Sequence, residues 1–415
     1  MNNIRWVYLM AAVLLLMCTG SIYAFSVFAG PLAAERGWTM AQVMLAFGIS
    51  AAVAPIPMII GGKVVDKGYA REAMLAGGVC FGLAFLAIGY LPSLAALYLG
   101  YGVMGGIGIS FAYAGALGNA TRYFPDKRGM ATGLVTAGNG AAAVITAPLA
   151  AWLIAGHGVL HTLQYLGYGF LVIAIVCGLI TRSAPQNYRP PGWTPPTSAN
   201  GAAQTESLDW KGMLATPVFY LLLALMASGA LAGLMIAANA SLIGQNMFGL
   251  SAVVAAGYVG AYAAGNASGR FLWGAISDRI GGANALTGIF VLIGAMLAVL
   301  ATSHATLGFA IGIVGMGIAF GGIMGVFPSL VSARFGTRYF GVNYGIMFCG
   351  YAVAAFFGPR LGASIAASNN GNYDRAFYVA MAVCLVGLVL SLVLSSIVRR
   401  RRVVTLHAAT VGKGL

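Results

Sequence analysis

Few residues in this chain could do chemistry, and Arg270 stands out among them. It lies in the stretch GNASGRFLWGAISDRIGG (265–282), and from Leu250 to Ile276 it is the only charged side chain. A guanidinium is a planar fork of donors that suits a carboxylate bidentately. Asn266 stands four residues earlier, one helical turn away. Placing a charge at the centre of a membrane span costs about 2.5–3.5 kcal/mol on insertion scales, so such a residue faces a cavity or a partner. The acidic residues Glu35, Asp66, Glu72, Asp126, Glu206, Asp209, Asp278 and Asp374 all fall in loops or at span ends. The simplest anion for Arg270 is therefore a substrate's own carboxylate. The structural alternative is an arginine that bonds carbonyls near a helix end or reaches Asp278, eight residues on and about 12 Å along a helix.

The rest of the chain excludes several classes of chemistry. Paired carboxylates, a Ser-His-Asp set and a metal-ligand cluster are all missing from the apolar segments, which argues against an enzyme. His157, His161, His304 and His407 sit at span ends or in the tail. Cys18, Cys80, Cys177, Cys349 and Cys384 lie singly in apolar segments with no CxxC pair, so neither a metal nor a disulfide framework is expected. The sequence has no G-x-x-x-x-G-K-[ST] loop, so no nucleotide and no other cofactor is implied. A receptor or sensor is the other class that these residues leave open.

The elements that must position these residues are membrane helices. The chain has 415 residues, of which 60% are hydrophobic and 7% charged. A soluble domain carries about 25% charged residues, so lipid must be the solvent for most of this chain. A span needs about 20 apolar residues. Twelve segments qualify: 5–30, 40–62, 72–91, 94–120, 130–154, 160–181, 215–244, 251–275, 284–302, 305–332, 341–364 and 375–398. The first is too long for a signal-peptide core and lacks a clear cleavage site. The glycines, 60 in all, suit close helix packing in lipid, where no hydrophobic drive acts between helices.

Between spans six and seven the chain is polar and proline-rich, TRSAPQNYRPPGWTPPTSANG, which reads as a linker. Most of the 22 basic residues, from Arg5 to the run Arg399–Arg402, fall on the linker's side of the spans. The positive-inside rule then makes both termini and the linker cytoplasmic. The net charge of +14 is explained by topology and anionic lipid, and nucleic acid is not implied. Short loops and compact length suggest a bacterial inner membrane, and a monomer is expected.

The halves repeat. GKVVDKG (62–68) and GAISDRIG (274–281) align at an offset of 212, pairing Gly62 with Gly274, Asp66 with Asp278 and Lys67 with Arg279. Arg122, Gly129 and Gly133 pair with Arg334, Gly341 and Gly345 at the same offset. The expected organisation is a six-helix bundle at 1–182, a cytoplasmic linker at 183–214, a second six-helix bundle at 215–398 and a cytoplasmic tail at 399–415. A six-plus-six plan with a G-x-x-x-D-[RK] loop after spans two and eight resembles the major facilitator superfamily. That resemblance implies an all-α integral membrane fold of 12 transmembrane helices with 6+6 pseudo-symmetry. It also implies a conformational latch formed by Gly62, Asp66, Lys67, Gly274, Asp278 and Arg279. The first loop departs from the pattern, because its glycine comes one residue early, at Gly68.

A narrower resemblance rests on GSIYAFSVFAGP, GNATRYFPDKRGMATG, NASGRFLWGAISDRIG, AFGGIMGVFPSLVSARFG and NYGIMFCGYAVAAFFG, which occur in order along the chain. These are similar to the oxalate/formate antiporter family, with the monocarboxylate transporters as more distant kin. The resemblance implies that Arg270 binds a substrate carboxylate, with Tyr23 and Tyr113 supplying hydroxyls and Phe320, Phe348 and Tyr351 supplying walls. Asn139 and Asn266 are polar groups within apolar spans and could face the same cavity. Each of these residues taken singly is more often packing than ligand.

Two departures refine the substrate. The exchanger type has a lysine eight residues after the asparagine of Asn-Tyr-Gly, and counting from Asn343 gives Tyr351. One cation favours a monoanion such as pyruvate, lactate or formate, since an unpaired charge in a low dielectric is costly. Phe320 and Met324, standing where that type has tryptophan and tyrosine, suit an apolar end. The proton symporters carry Asp where this chain has Asn266, and an amide does not titrate at physiological pH. The expectation is exchange or facilitated diffusion of a small monocarboxylate by alternating access. Oxalate/formate-type dicarboxylate antiport and proton-coupled symport are the alternatives.

Overall fold

The computed structural model describes residues 4–185, 188–191, 193, 207–303 and 305–411. Parts of the expected linker and tail lie outside them. Every regular element among the described residues is a helix. Nine of these helices are long and apolar enough to cross a membrane, and the bent pair Gln42–Val53 and Pro55–Asp66, 42° apart, forms another span.

Two local features account for the remaining spans. The segment Arg128–Ile180 is two helices that meet at Gly158, whose φ of 77° and ψ of 167° break the helix. That backbone is open to glycine and strained for other residues, so Gly158 separates spans five and six. Span eight, Ala252–Ile280, is as long as its neighbours but less apolar, because Asn266, Ser268 and Arg270 interrupt it. The chain is thus a multi-pass membrane protein of twelve spans. Large apolar side chains such as Trp152, Leu179, Leu307 and Leu385 stand exposed on its helices, as a lipid-facing surface requires.

Several spans depart from plain α-helix. Span one runs as Ile4–Thr19, a 3-10 turn Gly20–Ala24 and Phe25–Arg36. Span four opens as Leu94–Ala96, widens to a π-helix over Leu97–Met104 and continues as Gly105–Tyr123. Span eleven is Phe340–Met347 followed by Cys349–Ala367, interrupted at Phe348.

The chain divides into two compact units. The first is Met1–Tyr123, Leu134–Gln186 and Phe340–Phe348; the second is Phe124–Gly133, Asn187–Tyr339 and Cys349–Leu415. The start of span five therefore groups with the second unit, and the start of span eleven with the first. In the first unit, Phe28, Phe81, Phe85, Tyr101 and Phe170 join spans one, three, four and six in an aromatic core. Edge-to-face contacts at 6.0 Å (Phe28 with Phe85) and 5.2 Å (Phe85 with Phe170) order it, an arrangement that the ring quadrupoles favour. The Tyr101 hydroxyl donates to the Ile22 carbonyl at 2.8 Å, tying the 3-10 turn of span one to span four.

In the second unit, span eight lies backbone to backbone against span ten, Thr306–Phe335. A Cβ on Gly317, Gly321 or Gly325 would run into the carbonyl of Tyr262, Asn266 or Arg270 respectively. On the facing helix, a Cβ on Gly269 would run into the Ile318 carbonyl and one on Gly265 would crowd that of Val314. Glycines four residues apart present one continuous stripe without side chains, which lets the two helices approach closely. The stripe is what sets the position of Arg270.

Overpacking of such a seam costs about 1–3 kcal/mol or more. Gly321→Leu is expected to lower the thermal unfolding midpoint in detergent by several degrees. Gly257→Ala, where an added Cβ meets nothing within 4 Å, is expected to leave it unchanged. Equal midpoints for the two variants would contradict the role of the seam.

Candidate functional site

Arg270 is 7% exposed and Asn266 6% exposed, although both are polar and both lie in a membrane span. The Arg270 Nε donates to Asn266 Oδ1 at 2.9 Å. Four-residue spacing stacks the two side chains on one helix face, so the pair follows from local geometry. That bond also sets the amide orientation: Oδ1 accepts from the guanidinium and Nδ2 points elsewhere. Asn266 Nδ2 is buried and has no hydrogen-bond partner among the described residues.

Tyr262, one turn earlier on the same face, is buried, and its hydroxyl donates to the Gly233 carbonyl of span seven at 2.8 Å. Phe320 of span ten, 5% exposed, lies over the same Gly233, where an added Cβ would enter its ring. A glycine at 233 thus lets the Phe320 ring and the Tyr262 phenol meet at one place on span seven. The Arg270 carbonyl is also closely approached by Gly133, from the start of span five.

The other expected site residues are placed as follows. Tyr351 is half-buried in the second unit. In the first unit Tyr113 is buried, and its ring lies 6.1 Å from that of Phe348. Phe348 stands at the interruption of span eleven and is also 6.1 Å from Tyr344. Asn139 is 2% exposed, and its Nδ2 has no hydrogen-bond partner among the described residues; its carbonyl is packed against Gly20 of span one. Tyr23 belongs to the 3-10 turn Gly20–Ala24, and its side chain lies outside the described residues.

The two repeated loops make matching contacts. Asp66 accepts from the backbone N–H groups of Gly341 and Val342 at 2.7 and 2.9 Å. Asp278 accepts from those of Gly129 and Met130 at 2.7 and 2.8 Å. Each acceptor pair lies 212 residues from the other, and so does each donor pair. The first N–H groups of a helix have no partner within it and carry the positive end of the helix dipole. A carboxylate from another segment therefore caps the start of span eleven in one unit and of span five in the other. Glycine makes the approach possible: a Cβ on Gly62 would meet the Gly341 backbone, one on Gly341 the Gly62 backbone, and Gly129 and Gly274 stand in the same reciprocal relation.

The adjacent cations behave differently. Lys67 and Arg279 are exposed. The cation beside Asp66 is instead Arg122 of span four, 3.7 Å from the carboxylate and donating to the Val65 carbonyl at 2.9 Å. Both loops turn on a positive-φ glycine, Gly68 at 99° and Gly281 at 84°. The one-residue shift noted in the sequence therefore moves the turning glycine without removing it.

A helix-only membrane fold with capped repeat loops and a buried arginine beside a glycine seam is a transporter architecture, and the chain belongs to the Major Facilitator Superfamily, whose family model matches residues 9–359. Its relatives include the oxalate:formate antiporter of Oxalobacter formigenes, 32% identical over 381 residues, which cover 90% of this chain and 88% of that protein. Monocarboxylate transporter 11 of Mus musculus is 33% identical over 150 residues, 36% of this chain and 32% of that one. Among solved structures, the superfamily transporter FucP in its outward conformation superposes with a TM-score of 0.70 at 14% identity, covering 92% of this chain and 97% of its own. These relatives are transporters and not enzymes.

The capping contacts generate a measurable expectation. Asp278→Ala removes the acceptor for Gly129 and Met130, and amide exchange at 129–130 should quicken about tenfold, the effect of losing a hydrogen bond worth about 1.4 kcal/mol. Asp66→Ala should do the same at 341–342. Exchange that speeds equally at both places in either variant would mean general loosening rather than loss of a specific cap.

Proposed function

We propose that this protein is a secondary transporter that moves a small monocarboxylate of the pyruvate, lactate or formate type across a bacterial inner membrane. The observation that carries this reading is the buried Arg270 braced at Nε by Asn266 within a membrane span. A guanidinium braced at Nε pairs with a carboxylate end-on through its two terminal nitrogens. The names of the relatives, an oxalate:formate antiporter and a monocarboxylate transporter, support a carboxylate cargo. Tyr351, where the exchanger type has lysine, favours a monoanion, while the name of the antiporter relative favours oxalate. Tyr23, Tyr113, Asn139, Phe320, Phe348 and Tyr351 are further candidates for contact with the acid, and Asn266 braces Arg270.

In this reading transport is exchange or facilitated diffusion by alternating access. The six-helix halves 1–182 and 215–398 are the moving bodies, 183–214 is the linker, and the termini are cytoplasmic. Asp66 with Gly62, and Asp278 with Gly274, act as the conformational latch through the caps they place on spans eleven and five. Lys67 and Arg279 supply positive charge to the same loops. The transporter works as a monomer.

Purified protein in liposomes tests the reading. Labelled pyruvate or lactate should enter vesicles and exchange against the same acid inside. Arg270→Gln should lower the rate at least about 30-fold, the scale expected when one partner of a charge pair is truncated, while insertion is retained. Near-normal transport in that variant would return Arg270 to a structural role. An imposed pH gradient should drive no uphill uptake, and uphill uptake would establish proton coupling.

A further inference from the structure

We propose that each half of the chain holds a seat for the headgroup of an anionic phospholipid. One seat lies where span one starts beside the end of span four, and the other where span seven starts beside the end of span ten. The partner is a lipid, and the inference does not rest on the carboxylate reading of Arg270.

The seats show first in the backbone. Tyr123 ends the helix Gly105–Tyr123 and Phe335 ends Thr306–Phe335. The two lie 212 residues apart, the offset of the repeat. The last carbonyls of a helix have no partner within it. In the first unit the Tyr123 carbonyl accepts from Arg5 Nη1 at 3.4 Å. In the second the Phe335 carbonyl accepts from the Leu208 N–H at 3.0 Å. A cation–tryptophan pair stands at each contact. The Arg5 guanidinium lies 6.0 Å from the centre of the Trp6 ring, and Lys211 Nζ lies 5.5 Å from that of Trp210. Arg338 adds another such pair, 5.3 Å from the Tyr339 ring. Lys211 and Arg338 are each three residues from the bond between Leu208 and Phe335, so chain length keeps both backbones within about 11 Å of it. Trp6 and Trp210 lie 204 residues apart and not 212. The feature therefore recurs at one place in the fold through residues that the repeat does not align.

The chemistry selects the partner. These contacts sit where membrane spans begin, the depth at which tryptophan and tyrosine meet lipid headgroups. Trp210, Lys211 and Arg338 are exposed. The Lys211 ammonium carries three donors, and no acid pairs with it among the described residues. Around the second seat, SLDWKGML (207–214) and ARFGTRYF (333–340) hold the cations Lys211, Arg334 and Arg338 against one acid, Asp209. That acid is spent on its own helix, accepting from the Gly212 N–H at 2.8 Å. An anion is the complement of such a surface, and each lysine or arginine near an anionic membrane adds about 1 kcal/mol of attraction. Apolar surface continues from the first seat: Ile4, Val7, Met10 and Leu14 stand exposed along span one, about one helical turn apart. A lipid meets both features with one molecule, its phosphate on the cations and its tails on the span. A free phosphate meets only the first.

Dioleoyl-phosphatidylglycerol and dioleoyl-phosphatidylcholine share their tails and differ in headgroup charge, which makes them the probes. The full chain is purified in detergent, and bound lipid is titrated by native mass spectrometry. The parent protein should retain two copies of phosphatidylglycerol at a concentration where phosphatidylcholine leaves none. Lys211→Gln should weaken one copy about fivefold, the scale for one cation, and adding Arg338→Gln should remove that copy. Arg5→Gln should weaken the other copy. Lys63→Gln removes an exposed cation of span two that has no ring contact among the described residues, and should leave both copies in place. Equal retention of the two lipids in the parent overturns the inference. Equal weakening in Lys63→Gln and Lys211→Gln also overturns it and assigns the binding to diffuse surface charge. Displacement of phosphatidylglycerol by inorganic phosphate overturns the lipid as occupant. If Arg5→Gln does not insert, the span-seven variants decide alone, and unchanged binding in Lys211→Gln with Arg338→Gln sinks the proposal.

Discussion

A guanidinium in an apolar interior must be fixed and solvated by the protein, and much of the second unit is arranged around that requirement. Arg270 is braced by an asparagine one turn earlier on its own helix. Its backbone is fixed by glycines that allow span ten and the start of span five to press against its carbonyl. The two devices act on different parts of the residue. The glycine seam sets where the Cα sits, and the asparagine sets where the guanidinium points. A preorganised cation of this kind needs less rearrangement to receive an anion than a flexible one would.

The same economy of means recurs at the repeated loops. A helix start is a set of unmet donors with a partial positive charge, and in both units a carboxylate from the end of another span satisfies two of them. The interaction needs an acid at one place and bare backbone at the other, so each carboxylate comes with its own pair of glycines in contact. Two such caps related by one offset reflect a single structural unit used twice. Asp66 is half-buried and Asp278 exposed, so the two caps differ in how much solvent screens them, and the first also has Arg122 beside it.

Part of the site was legible in advance and part was not. Arg270 could be found because charge is so rare in the spans, and Asn266 because it lies one turn away. The bond between them follows from helix geometry. The loops could be paired because the two copies share residues at a constant offset. The binding partners of Asp66 and Asp278 could not be read, since a backbone N–H has no residue signature and the donors lie 275 and 149 residues away in the chain. The expected latch joined Asp66 and Asp278 with their neighbours Lys67 and Arg279, from proximity in sequence. In the fold they are exposed, and Arg122 is the cation placed at Asp66.

The amino-acid sequence by itself determined the solvent, the number of spans, the internal repeat and the cation. These depend on composition and on local periodicity, which each segment carries within itself. Tertiary structure decided which backbone groups the loop carboxylates cap, which glycines form the seam under Arg270, where spans one and eleven break, and which end of the Asn266 amide is engaged. Those outcomes depend on contacts between segments far apart in the chain, where side-chain chemistry meets backbone that any residue could have supplied.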